Sequence, residues 1–224
     1  QMIVDLVQDL ETQGIKNASL FAGLTGICFA IQLASKEGTR YQTLLCRLVP
    51  ILLERIREEY YLPSQETLSQ NEFLSPLHYD VIVGVSGVIN FLLTVRHIPL
   101  VNETLEQLVG ILCALQKPVN YQNVKLPGWF VPPQYFIREE VHNLYQNGCF
   151  DTGMAHGLSG CLATLSRAYL AGINTPSQES AIRQMSTWLV EIQFKNGPFK
   201  GGWPSRLSHD PFTGRPLSND VDFH

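Results

Sequence analysis

The sequence predicts an all-α fold, and more narrowly an α/α toroid built from helix pairs. Three observations carry that expectation. Apolar residues recur at helical spacing along nearly the whole chain, clear strands of alternating pattern are missing, and one glycine-bearing signature returns three times.

The elements follow in order. The first signature, Phe21-Ala22-Gly23-Leu24-Thr25-Gly26-Ile27, opens an apolar helix, and the stretch from Tyr41 to Tyr60 supplies its partner. The second, Ile82-Val83-Gly84-Val85-Ser86-Gly87-Val88, opens another. Behind it Leu105, Leu108, Val109, Leu112 and Leu115 fall at helical spacing after Asn102, which is placed as an N-cap. Polar and aromatic residues from Tyr121 to Tyr145 read as a long insertion that shapes substrate access, with Arg138-Glu139-Glu140 as a solvated turn. The third signature, Ala155-His156-Gly157-Leu158-Ser159-Gly160-Cys161, opens a helix that ends at Gly172, a natural left-handed stop. Thr175-Pro176-Ser177-Gln178 then reads as a capping box with proline at the first helical position. Ile182, Met185, Leu189 and Ile192 form the apolar stripe behind it.

Each signature is Gly, an apolar residue, Ser or Thr, then Gly, and successive copies stand 61 and 73 residues apart. A glycine inside a helix costs about 1 kcal/mol relative to alanine, so something else must want the backbone bare. A toroid supplies the reason, because the inner helices converge at one end of the barrel, where Cβ atoms would collide. Converging N-termini also gather unpaired N–H groups and positive dipole ends, a good setting for thiolates, carboxylates or an enolate. Tight packing alone is the plainer reading of the Gly23–Gly26 and Gly84–Gly87 pairs, and both readings can hold together.

At 224 residues and 45% hydrophobic content the chain can bury a large core. No apolar run reaches the roughly 18 to 20 residues of a spanning helix. The start, Gln1-Met2-Ile3-Val4-Asp5-Leu6, lacks the basic head of a signal peptide, and a first residue other than Met points to a piece of a longer protein. A net charge of −4 without a basic block argues against nucleic acid as a partner. The five cysteines, Cys28, Cys46, Cys113, Cys149 and Cys161, are odd in number and mostly sit in apolar runs. That is the usage of reduced cytosolic thiols rather than of a disulfide framework. The expected location is cytoplasmic.

Asp80-Val81-Ile82-Val83-Gly84-Val85-Ser86-Gly87 and Gly153-Met154-Ala155-His156-Gly157-Leu158-Ser159-Gly160 resemble the lanthionine synthetase C-like (LanC) cyclases. Ser19-Leu20-Phe21-Ala22-Gly23-Leu24-Thr25-Gly26 looks like an earlier repeat of the same fold. Ala-His-Gly-x-x-Gly is specific in the company of two cognate repeats, whereas one Gly-x-x-Gly alone carries nothing. The resemblance implies that residues 1–224 form a single partial α/α toroid with Gly-x-x-Gly-headed inner helices, truncated at the C-terminus and open to extension at the N-terminus. It implies a cyclase of lantibiotic biosynthesis that adds precursor-peptide thiols to dehydroalanine or dehydrobutyrine, closing (methyl)lanthionine thioether rings. A dehydrated precursor peptide, a dehydratase and an export transporter are the partners it implies, in the cytoplasm or peripherally at the membrane. Zn2+ is implied for the complete protein, with ligands from Trp-Cys-Tyr-Gly and Cys-His-Gly stretches that this chain does not contain; the chain stops at Asn219-Asp220-Val221-Asp222-Phe223-His224, about where the next repeat is expected. Cys149, His156 and Cys161 are neighbours in sequence, but without Cys-x-x-Cys or His-x3-His spacing they read as structural rather than zinc-binding.

Adding a thiol to a dehydro residue needs a thiolate, and then an enolate that is stabilised and protonated at carbon. Zinc would serve the first need by lowering the thiol pKa. A group titrating near neutral pH suits the second, and histidine is the ordinary candidate. His156 precedes Gly157 and Asp80 lies four residues before Gly84, so both side chains project near one toroid end. An Asp–His pair would fix the tautomer and raise the basicity of the imidazole. By the resemblance both line the active site, His156 as general acid/base and Asp80 as its partner or as a second proton carrier; the sequence leaves open which protonates the enolate. The plainer alternatives are a buried histidine satisfied by backbone and an aspartate that only caps a helix. His78 reads as solvated, Tyr79 as bordering the cavity, and Trp203 and Arg206 as rim residues or loop packing. The segment Asn196 to Arg206 lacks the Gly-Lys-Ser/Thr ending of a phosphate loop.

Two other functions stay open. One is a non-catalytic LanC-like toroid that binds or scaffolds a peptide. The other is an α/α-toroid glycosidase, which needs a second carboxylate roughly 5 to 9 Å from the first. The other repeat heads carry Ser19 and His156 where such a mate would stand.

Overall fold

Gly23, Gly84 and Gly157 all take an extended conformation, and each becomes the N-cap of a helix. The computed structural model describes residues 17–36, 38–210 and 213–216; the stretches 1–6 and 219–224 discussed above lie outside them. Helix α1 spans Leu24–Ala34. Helix α2, Gln42–Ile56, runs through a π-turn at Arg57–Tyr61 directly into α3, Leu62–Ser69. A single turn, α4 at Pro76–Tyr79, precedes α5 at Val85–Leu92 and α6 at Val101–Ala114. Then come α7 at Glu139–Leu144, α8 at Leu158–Leu170 and α9 at Gln178–Ile192.

The mostly helical fold is arranged in pairs. Helix α5 lies beside both α1 and α8, and each of these three glycine-headed helices has its successor packed on it: α2 on α1, α6 on α5, α9 on α8. Buried residues cover nearly all of α5, including Val85, Val88, Ile89, Phe91 and Leu92. The partners bury one stripe, as α9 does with Ala181, Met185 and Leu189.

The repeated glycines have a local cause. In every copy a Cβ on the second glycine would come closer than 3.0 Å to the carbonyl oxygen six residues earlier: Leu20 for Gly26, Val81 for Gly87, Met154 for Gly160. A Cβ on the first glycine would overlap the backbone nitrogen four residues earlier, that of Ser19, Asp80 or Gly153. The loop ahead of each helix therefore folds back onto the helix start, and only glycine leaves room. Two backbone hydrogen bonds string the loops together. The Phe21 N–H donates to the Ile82 carbonyl, and the Val81 N–H donates to the Ala155 carbonyl, both at 3.0 Å.

Several expectations need correction. Helix α6 starts at Val101 behind a left-handed Leu100, and Asn102 is not its cap, because its Oδ1 accepts from Arg96 Nε at 2.8 Å. Helix α9 starts at Gln178, three residues after the proposed cap. Thr175 N–H still donates to Gln178 Oε1 at 3.1 Å, but the Gln178 amide also turns inward and donates to the Leu165 carbonyl. Arg138-Glu139-Glu140 begins α7 rather than forming a turn. Gly172 does stop α8, at φ +83°, with the Ile173 N–H on the Ala168 carbonyl.

Short strands also appear where no alternation announced them. Strands β1 (Pro118–Tyr121) and β2 (Val124–Pro127) form a hairpin, and Gln122 and Asn123 between them are both left-handed, as a type I′ turn requires. Strand β3 (Phe130–Val131) pairs with β4 (Cys149–Asp151), which pairs on its other edge with β5 (Arg206–Leu207), all antiparallel. The sheet brings the C-terminal part of the described chain against the loop that carries His156.

All five cysteines are free, and only Cys46 is exposed. Burial pushes the thiols of Cys28, Cys149 and Cys161 up to about 12, and raises Cys113 despite hydrogen bonds from Thr175 and Ser177. At neutral pH Cys28, Cys149 and Cys161 are thiolate to the extent of only about one part in a hundred thousand. Brief alkylation of the folded chain is therefore expected to label one cysteine, Cys46, and alkylation in denaturant all five, as read by peptide mass spectrometry.

Candidate active site

The loops before α5 and α8 bring together two side chains separated by 76 residues. His156 Nδ1 lies 2.6 Å from Asp80 Oδ2. The Val81–Ala155 hydrogen bond sets that approach by fixing the two loops edge to edge. Asp80 is fully buried, while the His156 side chain is 53% exposed.

Burying a carboxylate requires replacing its water with donors. Asp80 finds three. Its Oδ1 accepts from the Val83 N–H at 2.7 Å and the Gly84 N–H at 2.9 Å, and its Oδ2 faces the imidazole. The start of α5 adds its positive dipole end beside the same group. Asp80 thus caps the turn before α5 and holds His156 at once, so the capping reading and the pairing reading are both realised. An ionised carboxylate only accepts, which makes Nδ1 of His156 the donor and turns Nε2 outward. Both Asp80 oxygens are engaged inside the protein, so this carboxylate is not placed to serve a sugar as a glycosidase acid.

His156 opens onto a cavity of about 790 Å³. Met154, Ala155, Val141 and Leu144 give it an apolar side; Arg138, Glu140, Asp151 and Arg206 give it charge. Two of these charges belong together. Asp151 ends β4 and Arg206 begins β5, opposite each other in register, and Arg206 Nε donates to Asp151 Oδ2 at 3.0 Å. Asp151 Oδ1 accepts from the Gly153 N–H at 2.9 Å, which bends the chain toward His156. Asn17 occupies the same place six residues before Gly23, with its Oδ1 on the Ser19 N–H at 3.0 Å. That shared offset is the sequence signal that would have exposed Asp151. Nothing local points to Arg206 as its partner, since only the β4–β5 pairing brings it there.

The remaining candidates separate. Tyr79 is buried in the core and does not border the cavity; burial raises its phenol well above the ordinary value. Its carbonyl accepts instead from Ser86 Oγ at 2.6 Å. His78 lies in α4 rather than in solvent, half-buried, with its pKa lowered by burial. Trp203 donates from Nε1 to the Leu189 carbonyl at 2.7 Å, which is loop packing. Cys161 is fully buried, with its sulfur on Ser86 Oγ and the Tyr79 carbonyl. Among the described residues no group of three or more His, Cys, Asp or Glu side chains is placed to hold a metal ion. These residues therefore do not fit the zinc that the resemblance implies. No described helix is long and apolar enough to cross a membrane.

Comparison with known proteins agrees with this architecture. The chain is 25% identical over 180 residues to the nisin biosynthesis protein NisC of Lactococcus lactis subsp. lactis, a match covering 80% of this chain and 40% of that protein. The solved structure of a nisin cyclase superposes with a TM-score of 0.79 at 24% identity, covering 94% of this chain and 49% of the other. The chain thus spans about half, or less, of the length of the relatives it matches. Residues 1–219 match the family described as lanthionine synthetase C-like protein, and with that match, over most of its length, the chain belongs to the lanthionine synthetase C-like family.

Proposed function

We propose that the Asp80–His156 pair is the proton-handling half of a thioether-forming cyclase. In this reading the complete protein adds cysteine thiols of a dehydrated precursor peptide to dehydroalanine or dehydrobutyrine, as in lanthipeptide biosynthesis. The single observation that carries it is the pair itself: a buried carboxylate holding an exposed imidazole by Nδ1, with Nε2 left for a substrate in the cavity.

The chemistry follows from that placement. When a thiolate adds to the β-carbon, the π electrons move onto the α-carbon and its carbonyl as an enolate. Collapse to product requires a proton at the α-carbon. His156 Nε2–H supplies it, and the thiol's own proton restores the imidazole, so protons balance over a turnover. Asp80 positions the ring through Nδ1, without reaching the substrate itself.

The wider picture is part of the proposal. Residues 1–224 form one domain of a larger α/α toroid, with the glycine-headed helices inside and their partners outside. Zinc belongs to the complete protein with ligands outside this chain, and nothing in the role of the pair depends on it. A dehydratase and an export transporter would act alongside, in the cytoplasm or at the membrane face.

Asp80→Asn in the full-length protein tests the reading. The asparagine carbonyl can keep the Val83 and Gly84 N–H bonds, but its amide presents N–H groups to Nδ1 and reverses the tautomer. Ring closure on a dehydrated peptide, followed by mass spectrometry after thiol alkylation, is expected to slow about 10²-fold with folding intact. Wild-type rates in that variant would remove the pair from the chemistry and favour a peptide-binding toroid.

A further inference from the structure

We infer that Arg206 is a further catalytic residue, the hydrogen-bond donor to the carbonyl oxygen on which enolate charge develops. The inference rests on the function proposed above. It begins from an asymmetry in how the guanidinium is used. Nε is committed to Asp151 Oδ2 at 3.0 Å, while the two terminal nitrogens hydrogen-bond to no described residue. The side chain is 36% exposed and lines the cavity that His156 also lines.

Arginine carries five N–H donors in a rigid planar fork. Fixing Nε aims the other four, and here they are aimed by a carboxylate in the very loop that carries His156. Asp151 holds Arg206 with one oxygen and the Gly153 N–H with the other, three residues ahead of His156. A donor and a proton carrier are thereby held in one frame, across a cavity whose apolar side is formed by Val141, Leu144, Met154 and Ala155. Such a cavity suits a peptide segment with a small apolar dehydro side chain and a backbone carbonyl, which becomes the oxyanion during addition. Arg138 shares the cavity but is exposed at the start of α7, with no comparable anchor.

The division of labour leaves the electrons balanced. Sulfur bonds to the β-carbon, the displaced π pair rests on the carbonyl oxygen under the Arg206 N–H groups, and His156 delivers its proton to the α-carbon as the carbonyl re-forms. Arg206 contributes only hydrogen-bond donors to the developing charge.

The test uses full-length protein and a dehydrated, cysteine-bearing peptide, with kcat and KM measured for wild type, Arg206→Ala and Asp151→Ala. Arg206→Ala is expected to lower kcat about 10²- to 10³-fold with KM within about threefold, and added guanidinium ion is expected to restore at least a tenfold part of the loss. Asp151→Ala keeps the guanidinium but frees it, and is expected to lose less. Arg206→Ala turning over like wild type would overturn the inference. So would a loss equalled by Asp151→Ala and not rescued by guanidinium, because Arg206 would then only fasten the loop. If the wild type itself closed no rings, the proposed function would fail first, and the two failures are told apart by that control.

Discussion

His156→Ala is expected to cost the most activity of any single change: kcat for ring closure falls roughly 10³-fold, within the range for loss of a general acid. The imidazole is more than half exposed, so little core packing goes with it. Removing it does leave Asp80 Oδ2 without its partner, at a cost of about 1 kcal/mol once water from the cavity reaches the oxygen. Activity and stability therefore separate sharply in this variant. KM is expected to stay near wild type, because the imidazole acts on the enolate rather than on the bound peptide. Thermal unfolding beside rate measurements on a dehydrated peptide checks both halves.

The largest effect on stability is expected at the repeat glycines. Gly84→Ala would drive a Cβ into the backbone nitrogens of Asp80 and Tyr79, and Gly87→Ala would drive one into the Val81 carbonyl and the Leu20 side chain. Backbone cannot swing aside as a side-chain tip can, so each is expected to destabilise by about 3 kcal/mol or more. For a chain of this size that is a fall in Tm of roughly 10 °C. Gly110→Ala is the internal control. Gly110 lies within α6 with nothing near its missing Cβ, and the same substitution there is expected to stabilise by about 0.5–1 kcal/mol. Equal effects at Gly84 and Gly110 would mean that helix propensity, not loop packing, sets the cost.

Much of the site was legible because it repeats. Three copies of one signature place Asp80 and His156 at the same end of adjacent helices, and the Val81–Ala155 loop hydrogen bond turns that sequence placement into a 2.6 Å contact. Helices with a long apolar stripe, such as α6 and α9, were likewise readable. What escaped has a common physical reason: it depends on neighbours far along the chain. Strands of two to four residues are too short to alternate visibly, and the Gln122–Asn123 turn uses left-handed residues other than glycine. Asn102 looks like a cap until Arg96 claims its side chain. Tyr79 looks like a wall of the cavity until the core buries it. The Asp151–Arg206 pair spans 55 residues and exists only through the register of β4 and β5.

The most direct measurement is the time course of free-thiol loss from a dehydrated, cysteine-bearing peptide incubated with the full-length protein. The proposed cyclase consumes one thiol per ring well above the spontaneous rate, with no change in peptide mass. Thiol loss at the spontaneous rate, with the peptide bound, would contradict it and leave a toroid that holds peptides without joining them.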